Sequence, residues 1–528
     1  MTQAVATERK VINWSAQQLA ILAFFVGLAM GEIADSLVVR ARAGCGKTTT
    51  IEEGIRRYAA ALGGKCRILA TSFARKITKA LTDRLADLPC VEVKGLNSLG
   101  NGCILRKVGR RNIVSTRKYD LAQAIVTGGN QPRNPADKEA ISVIGELNYK
   151  ARELRPLAES PKDLLWVAET FAIEPTEAMM ADGWTIQGIC EAAYDCMILA
   201  SEKYHEIDFA DQIFLPLRNG WTKPTYDLIV VDETQDLTLA QLELAERMAK
   251  PTARFVIVGD DKQAIFGFRG ADTTALDRLK SKLNATEMGL TITRRCPKSH
   301  VALAMQVCPD FQAAPEAPEG TVTDNLYVDR LVQDIQPGHM VISRTNAPLV
   351  PTCLKLLRAG KRAYVAGRDF GSALSGIIRK LKLNTLTALS EKLSGWLDTE
   401  IKRISGKKQA KDDKWLADQI EQANDKVDTI LAMSEGLTTS DELIARINTL
   451  CIEPDDAAQN AIMLGTTHKV KGLEAHTTWV LEGTFNSAFR GKRGNVADDS
   501  DLVWYVAITR SYDTMHLVQG FDKSVKDE

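Results

Sequence analysis

The sequence predicts an α/β protein with two parallel-sheet domains, each carrying a helical insertion. Short apolar runs rich in β-branched residues alternate with helical patterns over residues 11–95 and again after residue 286. Such runs are typical of strands that are buried on both faces of a parallel sheet. Residues 100–205 and 376–455 are instead charged, helical in their spacing and poor in strand patterns. These two segments are therefore expected to be the insertions.

The bulk composition is that of a globular protein with several domains. The chain has 528 residues, of which 45% are hydrophobic and 25% are charged, and this length predicts about three to four domains. Lysine plus arginine and aspartate plus glutamate both number 67, so the net charge is zero. A nucleic-acid partner is therefore expected to bind a local groove, because the overall charge does not attract it.

The ten cysteines are scattered and include no C-x-x-C pair. This spacing argues against a zinc ribbon, an iron–sulfur cluster or a disulfide framework, and it favours a reducing cytoplasm. The one long apolar run, at residues 19–30, is too short to span a bilayer. We expect it to form a buried helix packed on a sheet, with no membrane association, rather than a signal peptide.

A glycine-containing turn follows the apolar run at residues 37–39 and opens a helical pattern over residues 47–62. Strand, turn, Lys-Thr and helix, in this order, are typical of a phosphate-binding P-loop. Backbone N–H groups and the helix N-terminus attract phosphate, Lys47 can reach the β- and γ-oxygens, and the Thr48 hydroxyl can bind Mg²⁺. The residues predicted to contact a nucleotide are Ala41, Arg42, Ala43, Gly44, Cys45, Gly46, Lys47, Thr48 and Thr49. The helix N-terminus is also expected to lower the pKa of the Cys45 thiol.

A second pattern, YDLIVVDETQD, places Asp232 and Glu233 at the end of a buried strand. A carboxylate that binds the metal ion and a carboxylate that activates water are expected there, opposite a P-loop. We therefore predict that Thr48 and Asp232 hold Mg²⁺ and that Glu233 is catalytic. Paired acids at a strand end are otherwise often solvated caps, and the pattern by itself does not separate the two interpretations.

The segment from Asp232 to Asp236 resembles the D-E-x-Q-D box of the UvrD/Rep/PcrA helicases of superfamily 1. Residues 256–271 resemble the third motif of that family almost residue for residue. Other motifs of the family occur before and after these two, in the order that the family has. They lie at Gln17, 72–76, 208–211, 294–295, 344–346, 367–370, 466–474 and 505–510. The resemblance covers nearly the whole chain. It implies two RecA-like P-loop NTPase domains and a protein that uses ATP and Mg²⁺.

The resemblance also implies a division of the chain. The first motor domain is expected to comprise residues 1–98 and 213–285, with residues 99–212 as its helical insertion. The second motor domain is expected to comprise residues 286–375 and 459–528, with residues 376–458 as a short helical insertion.

Individual roles follow from the same resemblance. The implied catalytic residues are Lys47, Glu233, Gln263, Arg295 and Arg510. Glu233 would polarise the attacking water, Gln263 would sense the γ-phosphate, and the two arginines would reach it from the second domain when the cleft closes. The implied contacts of adenine and ribose are Gln17, Arg294 and Glu474. Arg294 stands where the family has an adenine-stacking tyrosine, and a guanidinium can also stack on a base.

The implied DNA-binding residues are Phe73, Asn97, Phe268, Arg269, Asn346 and His468. Phe73 and Phe268 stand where the family stacks the bases of a single strand. Asn97 replaces the histidine of a T-x-H-S-L box. An aromatic residue after a strand is more often part of a core, and a loop histidine is often simply hydrogen-bonded, so these alternatives remain open.

The function implied is an ATP-dependent DNA helicase or translocase that single-stranded DNA stimulates and that moves 3′-to-5′, in repair or replication. Its partners would be single-stranded DNA, single-strand/duplex junctions and a loading or nuclease protein. A second interpretation is a DNA-sensing ATPase that regulates a partner enzyme without processive unwinding. Two features favour this second interpretation. The second insertion is short, and no fused nuclease domain is expected because the sequence ends 18 residues after Arg510. An RNA motor is a third interpretation.

Overall fold

A computed structural model of the chain describes residues 12–73, 75–265, 274–405, 413–454, 457, 460–485 and 499–520. Up to residue 290 the strands are β1 (Leu37–Ala41), β2 (Ile68–Ser72), β3 (Val91–Val93), β4 (Asn112–Ile113), β5 (Glu206–Ile207), β6 (Tyr226–Asp232), β7 (Ala249–Gly259) and β8 (Thr286–Leu290). The helices of this part are α1 (Ala16–Met30), α2 (Lys47–Ala61), α3 (Arg75–Arg84), α4 (Leu96–Val108), α5 (Arg117–Thr127), α6 (Pro135–Leu154), α7 (Leu165–Thr170), α8 (Glu177–Ala181), α9 (Ile186–Glu202), α10 (Asp211–Arg218), α11 (Leu239–Met248) and α12 (Ala275–Lys282).

Six of these strands form one sheet in the order β3–β2–β6–β7–β1–β8, and all neighbours are parallel. The sequence DLIVV forms the centre of β6 as predicted, because its apolar side chains are buried on both faces of the sheet. Parallel strands end at the same edge, so the residues after β1, β2, β6 and β7 lie close together. The candidate site lies at this edge.

The remaining strands are β9 (Ile292–Thr293), β10 (Gln312–Ala313), β11 (Thr321–Tyr327), β12 (Met340–Ser343), β13 (Ala363–Ala366), β14 (Cys451–Ile452), β15 (Ile462–Thr466), β16 (Ala475–Leu481) and β17 (Ser511–Gly520). The remaining helices are α13 (Lys298–Ala304), α14 (Val328–Asp334), α15 (Leu349–Arg358), α16 (Arg368–Leu381), α17 (Leu389–Ser405), α18 (Asp413–Ser434), α19 (Ser440–Leu450), α20 (Thr467–Val470) and α21 (Asp499–Ile508). Seven of the strands form a second parallel sheet in the order β11–β17–β16–β12–β15–β13–β14. The predicted fold class, with two parallel sheets of RecA type, is confirmed.

The apolar run at residues 19–30 lies in α1, as expected. Ser15 and Gln18 cap the helix reciprocally, each side chain accepting the backbone N–H of the other residue, and Gly31 ends it at a φ of 74°. The buried ring of Phe25 packs so closely on α2 that a Cβ at Gly54 would lie 2.4 Å from it. Within the described residues, no helix is long and apolar enough to cross a membrane.

Helices α4 to α10 lie between β3 and β6 and have an apolar core of their own. Buried ion pairs fix this bundle. Arg152 of α6 binds Asp208 (Nη2–Oδ2, 2.7 Å) and Asp211, and Arg117 of α5 binds Asp211 (Nε–Oδ2, 2.6 Å). Since removal of one partner of a buried pair is strongly destabilising, the two acids of the 208–211 motif hold the helices together.

The structure departs from the predicted division at three places. β8 pairs with β1, so the first sheet extends through Leu290, past the boundary predicted at residue 285. The side chains of β8 alternate between exposed and partly buried at this sheet edge, so the apolar signal of a central strand is missing. α10 continues to Arg218, beyond the predicted end of the first insertion at residue 212. β14 pairs with β13 of the second sheet although it lies inside the segment predicted to be an insertion, 376–458.

Candidate nucleotide site between the two sheets

The P-loop joins β1 to α2, and its backbone conformation requires glycine at two positions. Gly44 and Gly46 have φ angles of 68° and 77°, in the left-handed region. A Cβ at Gly44 would lie 2.4 Å from Cβ of Arg295, so the loop approaches the segment after β9 closely. Arg294 also donates its backbone N–H to the Gly44 oxygen at 3.0 Å. The loop therefore presents backbone, rather than side chains, at the start of α2.

Lys47 is the first residue of α2, and its ammonium lies among carboxylates. Its Nζ is 3.2 Å from Oε1 of Glu233. Burial opposes the charged form of the ammonium, but Glu233, Asp260 and Asp232 outweigh burial and raise the pKa of Lys47. The lysine is therefore positively charged at the position where a P-loop lysine meets phosphate.

Glu233 follows β6 with a φ of 52°, a conformation that is uncommon outside glycine and is often found at functional sites. Burial would raise the pKa of its carboxyl group, but the ammonium groups of Lys47 and Lys471 lower it to about 2. The side-chain amide of Gln235 also donates to Oε2 at 2.6 Å. Glu233 is thus held ionised at the end of the strand.

Asp232 lies beside Thr48. The threonine hydroxyl donates to Oδ2 of Asp232 at 3.1 Å. Burial and the neighbouring charge of Glu233 raise the pKa of Asp232 to about 7. A hydroxyl and a carboxylate with adjacent oxygen atoms are a donor set that suits a hard divalent cation such as Mg²⁺.

Residues from the second half of the chain reach the same place. Arg510 follows α21 and is 1% exposed, and its Nη2 donates to Oε1 of Gln263 at 3.4 Å. Burial and the positive charge of Arg295 lower the pKa of Arg510 to about 10. Arg295 pairs with the Glu474 carboxylate and donates to the Thr509 oxygen at 3.4 Å. The implied catalytic residues of the two halves therefore converge.

A cavity of about 680 Å³ lies where these groups meet, and we call it the P-loop cavity. Its lining includes all five implied catalytic residues and these predicted nucleotide contacts: Gly44, Cys45, Gly46, Lys47, Thr48, Thr49, Arg294 and Glu474. Four predicted contacts are not in the lining: Gln17, Ala41, Arg42 and Ala43. Asp232 is behind Thr48 and is 1% exposed.

Structural contacts account for the residues outside the lining. The Gln17 amide exchanges hydrogen bonds with Thr291, at 2.9 Å to the hydroxyl and 3.0 Å from the backbone N–H. Arg42 is 4% exposed, and its guanidinium binds Asp260, Asp261 and Asp310 at 3.2, 2.7 and 2.9 Å. Arg42 thus joins the P-loop to the segment after β7.

The expectation for Cys45 is wrong. Burial and the negative charge of Asp260 raise the pKa of this thiol, and the side chain is 3% exposed. A backbone hydrogen bond at Arg42 and the charge of Lys47 act to lower the pKa, but burial outweighs both. Cys45 is therefore a small buried residue rather than a reactive thiol.

The predicted DNA contacts lie at several places. Phe73 is 38% exposed and lines the P-loop cavity. Asn97 donates to the Phe209 oxygen at 3.3 Å and accepts from Gln241 at 3.1 Å. His468 is partly buried on α20. Phe268 and Arg269 lie outside the described residues.

Asn346 faces the second insertion. Its backbone N–H and side-chain amide donate to Oδ2 of Asp425 on α18 at 3.1 and 3.0 Å, and the Ala347 N–H donates to Oδ1 at 2.6 Å. One carboxylate thus accepts three hydrogen bonds from the 344–346 loop and the residue after it.

Sequence reasoning assigned no role to three further residues of this region. Lys471 donates to Asp236 and to the Gln263 oxygen, both at 2.6 Å. The hydroxyl of Tyr505 accepts the Ala43 N–H at 3.1 Å. Tyr512 lines the cavity and donates to Glu474. The first two lie inside motifs that the sequence displays, whereas nothing in the sequence marks Tyr512.

Comparison with known proteins finds a matching family model and several similar DNA helicases. Residues 28–284 match the UvrD/REP helicase N-terminal domain. The ATP-dependent DNA helicase Rep of Escherichia coli is 27% identical over 257 residues, which are 44% of this chain and 35% of that protein. The ATP-dependent DNA helicase PcrA of Bacillus subtilis is 26% identical over 289 residues, which are 51% of this chain and 37% of that protein.

A eukaryotic protein is similar over a comparable length. The F-box DNA helicase protein 1 of Schizosaccharomyces pombe is 26% identical over 308 residues, 54% of this chain and 33% of that protein. The matched part thus spans between a third and two fifths of these relatives. Residues 28–284 are thus similar to a UvrD/REP helicase N-terminal domain, and the chain is UvrD/Rep/PcrA-like.

Proposed function

We propose that this protein is an ATP-dependent DNA helicase or translocase whose ATPase is stimulated by single-stranded DNA and which moves 3′-to-5′. The observation that carries the proposal is the convergence of Arg510 and Lys471 from the second half of the chain on Gln263 and Asp236 of the first half. A nucleotide site with walls from two sheets changes shape when the sheets move. Hydrolysis there is coupled to movement along a strand.

ATP and Mg²⁺ fit the residues of the P-loop cavity. Gly44 and Gly46 leave the loop backbone open to phosphate, and Lys47 supplies a positive charge next to it. Thr48 and Asp232 are the residues that would hold Mg²⁺. A bound Mg²⁺ neutralises charge on the β- and γ-phosphates.

The ion pair between Lys47 and Glu233 suggests how the site becomes active. Phosphate competes with Glu233 for the Lys47 ammonium, because both are anions at the same donor. Once Lys47 turns to phosphate, the Glu233 carboxylate loses the contact that most lowers its pKa. Glu233 then becomes a better acceptor for a water proton, so binding of the substrate prepares the base.

Two arginines complete the site from the second half. Arg510 already donates to Gln263, whereas Arg295 is paired with Glu474. Arg295 reaches a γ-phosphate after it leaves Glu474, and both guanidinium groups then stabilise charge on the transferred phosphoryl group. Hydrolysis therefore requires both halves of the chain in place.

We further propose that single-stranded DNA and single-strand/duplex junctions are the substrates. Stacking on aromatic rings and donors to phosphate support such binding. The residues proposed to contact the strand are Phe73, Asn97, Phe268, Arg269, Asn346 and His468. A loading or nuclease protein as partner is part of the same proposal.

The proposed domain division follows the two sheets. The first motor domain contains β1–β3 and β6–β8, with α4–α10 inserted, and the second contains β11–β17, with α17–α19 inserted before β14. The separate apolar core of the first insertion supports this division.

The test is strand displacement on duplexes with either a 3′ or a 5′ single-stranded tail, measured together with ATPase activity with and without poly-dT. We expect stimulation by poly-dT and displacement on the 3′-tailed duplex only. Displacement on the 5′-tailed duplex alone would overturn the direction. Stimulated hydrolysis without displacement on any duplex would support the DNA-sensing ATPase, and stronger stimulation by poly-U would support an RNA motor.

A further inference from the structure

The Glu474 carboxylate has two donors inside the P-loop cavity. Arg295 donates to Oε1, and the phenol hydroxyl of Tyr512 donates to Oε2. Each carboxylate oxygen has two acceptor positions, so one position on each remains for a further donor. Tyr512 therefore orients Glu474 without using up its capacity to accept hydrogen bonds.

Tyr512 stands at the start of β17, two residues after Arg510, and forms part of the cavity wall. It is 36% exposed, and its ring is tilted by 58° against His476 with 5.3 Å between the ring centroids. Because the neighbouring ring already restricts the phenol, the side chain loses little further conformational entropy when it donates a hydrogen bond to the carboxylate. The ring contact with His476 and the hydrogen bond to Glu474 together hold the side chain in place.

Tyr512 is joined to Arg295 through the Glu474 carboxylate, and all three residues line the cavity. Phe73 precedes α3, whose residues Ile77 and Ala80 also line the cavity. Among the described residues of the lining, Phe73 and Tyr512 are the two aromatic ones. Tyr512 is therefore the aromatic residue that contacts Glu474, the residue proposed to bind the ribose.

We propose that Tyr512 is a specificity-determining residue of the nucleotide site, and that it positions the Glu474 carboxylate to accept hydrogen bonds from the ribose hydroxyls. This inference rests on the proposed ATP site. Without the phenol hydroxyl, Glu474 keeps only the Arg295 contact and follows that guanidinium. Discrimination between a ribonucleotide and its deoxy form then falls, because the acceptor for the missing hydroxyl is no longer held in place.

The experiment measures the dissociation constants of ADP, 2′-deoxy-ADP and 3′-deoxy-ADP by calorimetry on the full-length protein. These nucleotides are not hydrolysed, so turnover does not enter. We expect the wild type to bind ADP more tightly than at least one deoxy form, and Tyr512→Phe to reduce that ratio about fivefold to tenfold, the value of one ordinary hydrogen bond. Glu474→Gln should reduce the ratio as well. Combining the two changes should add little, since both remove the same interaction.

Tyr327→Phe is the matched control, because Tyr327 is 44% exposed at the end of β11 and does not line the cavity. A general loosening of the site would weaken all three nucleotides equally and leave the ratio unchanged, and that result overturns the inference. A wild type that binds ADP without discrimination also overturns it, while the proposed ATP site stands. No binding of ADP to the wild type would instead overturn the proposed function.

Discussion

The Nζ atom of Lys471 lies 2.6 Å from Oδ1 of Asp236. Lys471 follows α20, beside the second sheet, whereas Asp236 follows β6 of the first sheet. The two side chains are 8% and 5% exposed. A buried ion pair contributes little net stability, but the removal of one partner leaves an uncompensated charge. The pair therefore connects the two sheets at the cavity, and substitution of either residue is expected to destabilise this contact.

Lys471→Ala should lower both thermal stability and ATP hydrolysis. The unpaired Asp236 carboxylate costs about 3–5 kcal/mol in a buried site, and Gln263 loses a donor at its backbone oxygen. Differential scanning fluorimetry and a phosphate-release assay measure the two effects. Lys469→Ala is the control, because Lys469 has 36% of its side chain exposed and is 3.9 Å from Glu453. Equal effects of the two substitutions would count against a special role of Lys471.

Lys47→Ala should abolish ATP hydrolysis, with a loss on the order of a thousandfold or more, and leave single-strand binding measurable. The variant loses the charge that meets phosphate and leaves Glu233 without its nearest cation. Phosphate release and fluorescence anisotropy of a labelled dT oligonucleotide measure the two properties. Lys65→Ala, on the exposed turn after α2, should behave as the wild type. Retained turnover in Lys47→Ala would refute the P-loop assignment.

Asp236 should make the stability of the protein depend on pH. Burial raises the pKa of this carboxyl group from 3.8 to about 6, with Lys471 and Lys47 opposing the shift and Glu233 adding to it. The folded protein then binds the proton more tightly than the unfolded chain. Protonation of Asp236 therefore stabilises the fold fully below the unfolded pKa, and this contribution is lost as the pH rises through about 6.

Asp236→Asn isolates this effect because asparagine does not titrate. The melting temperature of the wild type, relative to that of the variant, should fall as the pH rises from about 4 to about 6, and it should stay level above about 7. The expected free-energy change is up to about 3 kcal/mol for a shift of this size. If the two melting curves run parallel over the whole range, Asp236 is not the titrating group.

Phe268→Ala should weaken binding of single-stranded DNA by about 1–3 kcal/mol, since the ring is expected to stack on a base. Fluorescence anisotropy at one fixed salt concentration gives the dissociation constant. Trp166→Ala is the control, because this tryptophan of α7 is 42% exposed and stacks on Arg155, with 4.6 Å from the guanidinium carbon to the ring centroid. An unchanged dissociation constant for Phe268→Ala would show that the ring does not stack on DNA and would favour the interpretation of Phe268 as a core residue.

Asp425→Ala should loosen the second insertion from the second sheet. The variant leaves the N–H groups of Asn346 and Ala347 and the Asn346 amide without their acceptor, at a cost of about 1–3 kcal/mol. Limited proteolysis within residues 413–434 should become faster. Asp428→Ala, an exposed position on the same helix, is the control. Identical digestion of both variants would show that this carboxylate does not anchor α18.

The strands of the two sheets were largely predictable because buried parallel strands are continuous apolar runs. Among the apolar runs after residue 286, those at residues 340–343, 363–366 and 462–465 correspond to β12, β13 and β15 within one residue. β8 and β11 were not predicted, since both have exposed side chains at a sheet edge. Local pattern carries little information about such strands.

The candidate site was predictable where a motif fixes chemistry and not where the fold brings distant residues together. The contact of Thr48 with Asp232 spans 184 residues, yet both lie in recognisable motifs. Arg42 looked like a phosphate contact, but three aspartates from later in the chain bind it instead. Tyr512 carries no local signature, because its position against Glu474 depends on the register of β16 and β17.

The hydrogen bond from the Ala43 amide to the Tyr505 hydroxyl, at 3.1 Å, makes the shape of the P-loop depend on α21. Both residues are almost completely buried, so a separation of the sheets would remove the acceptor of a backbone N–H group in the loop that is proposed to bind phosphate. If a bound nucleotide favours the arrangement in which the two sheets are in contact, that arrangement must in turn raise the affinity for nucleotide. The two effects are equal in size. The measured affinity for nucleotide would then depend on whether the two sheets are in contact or separated.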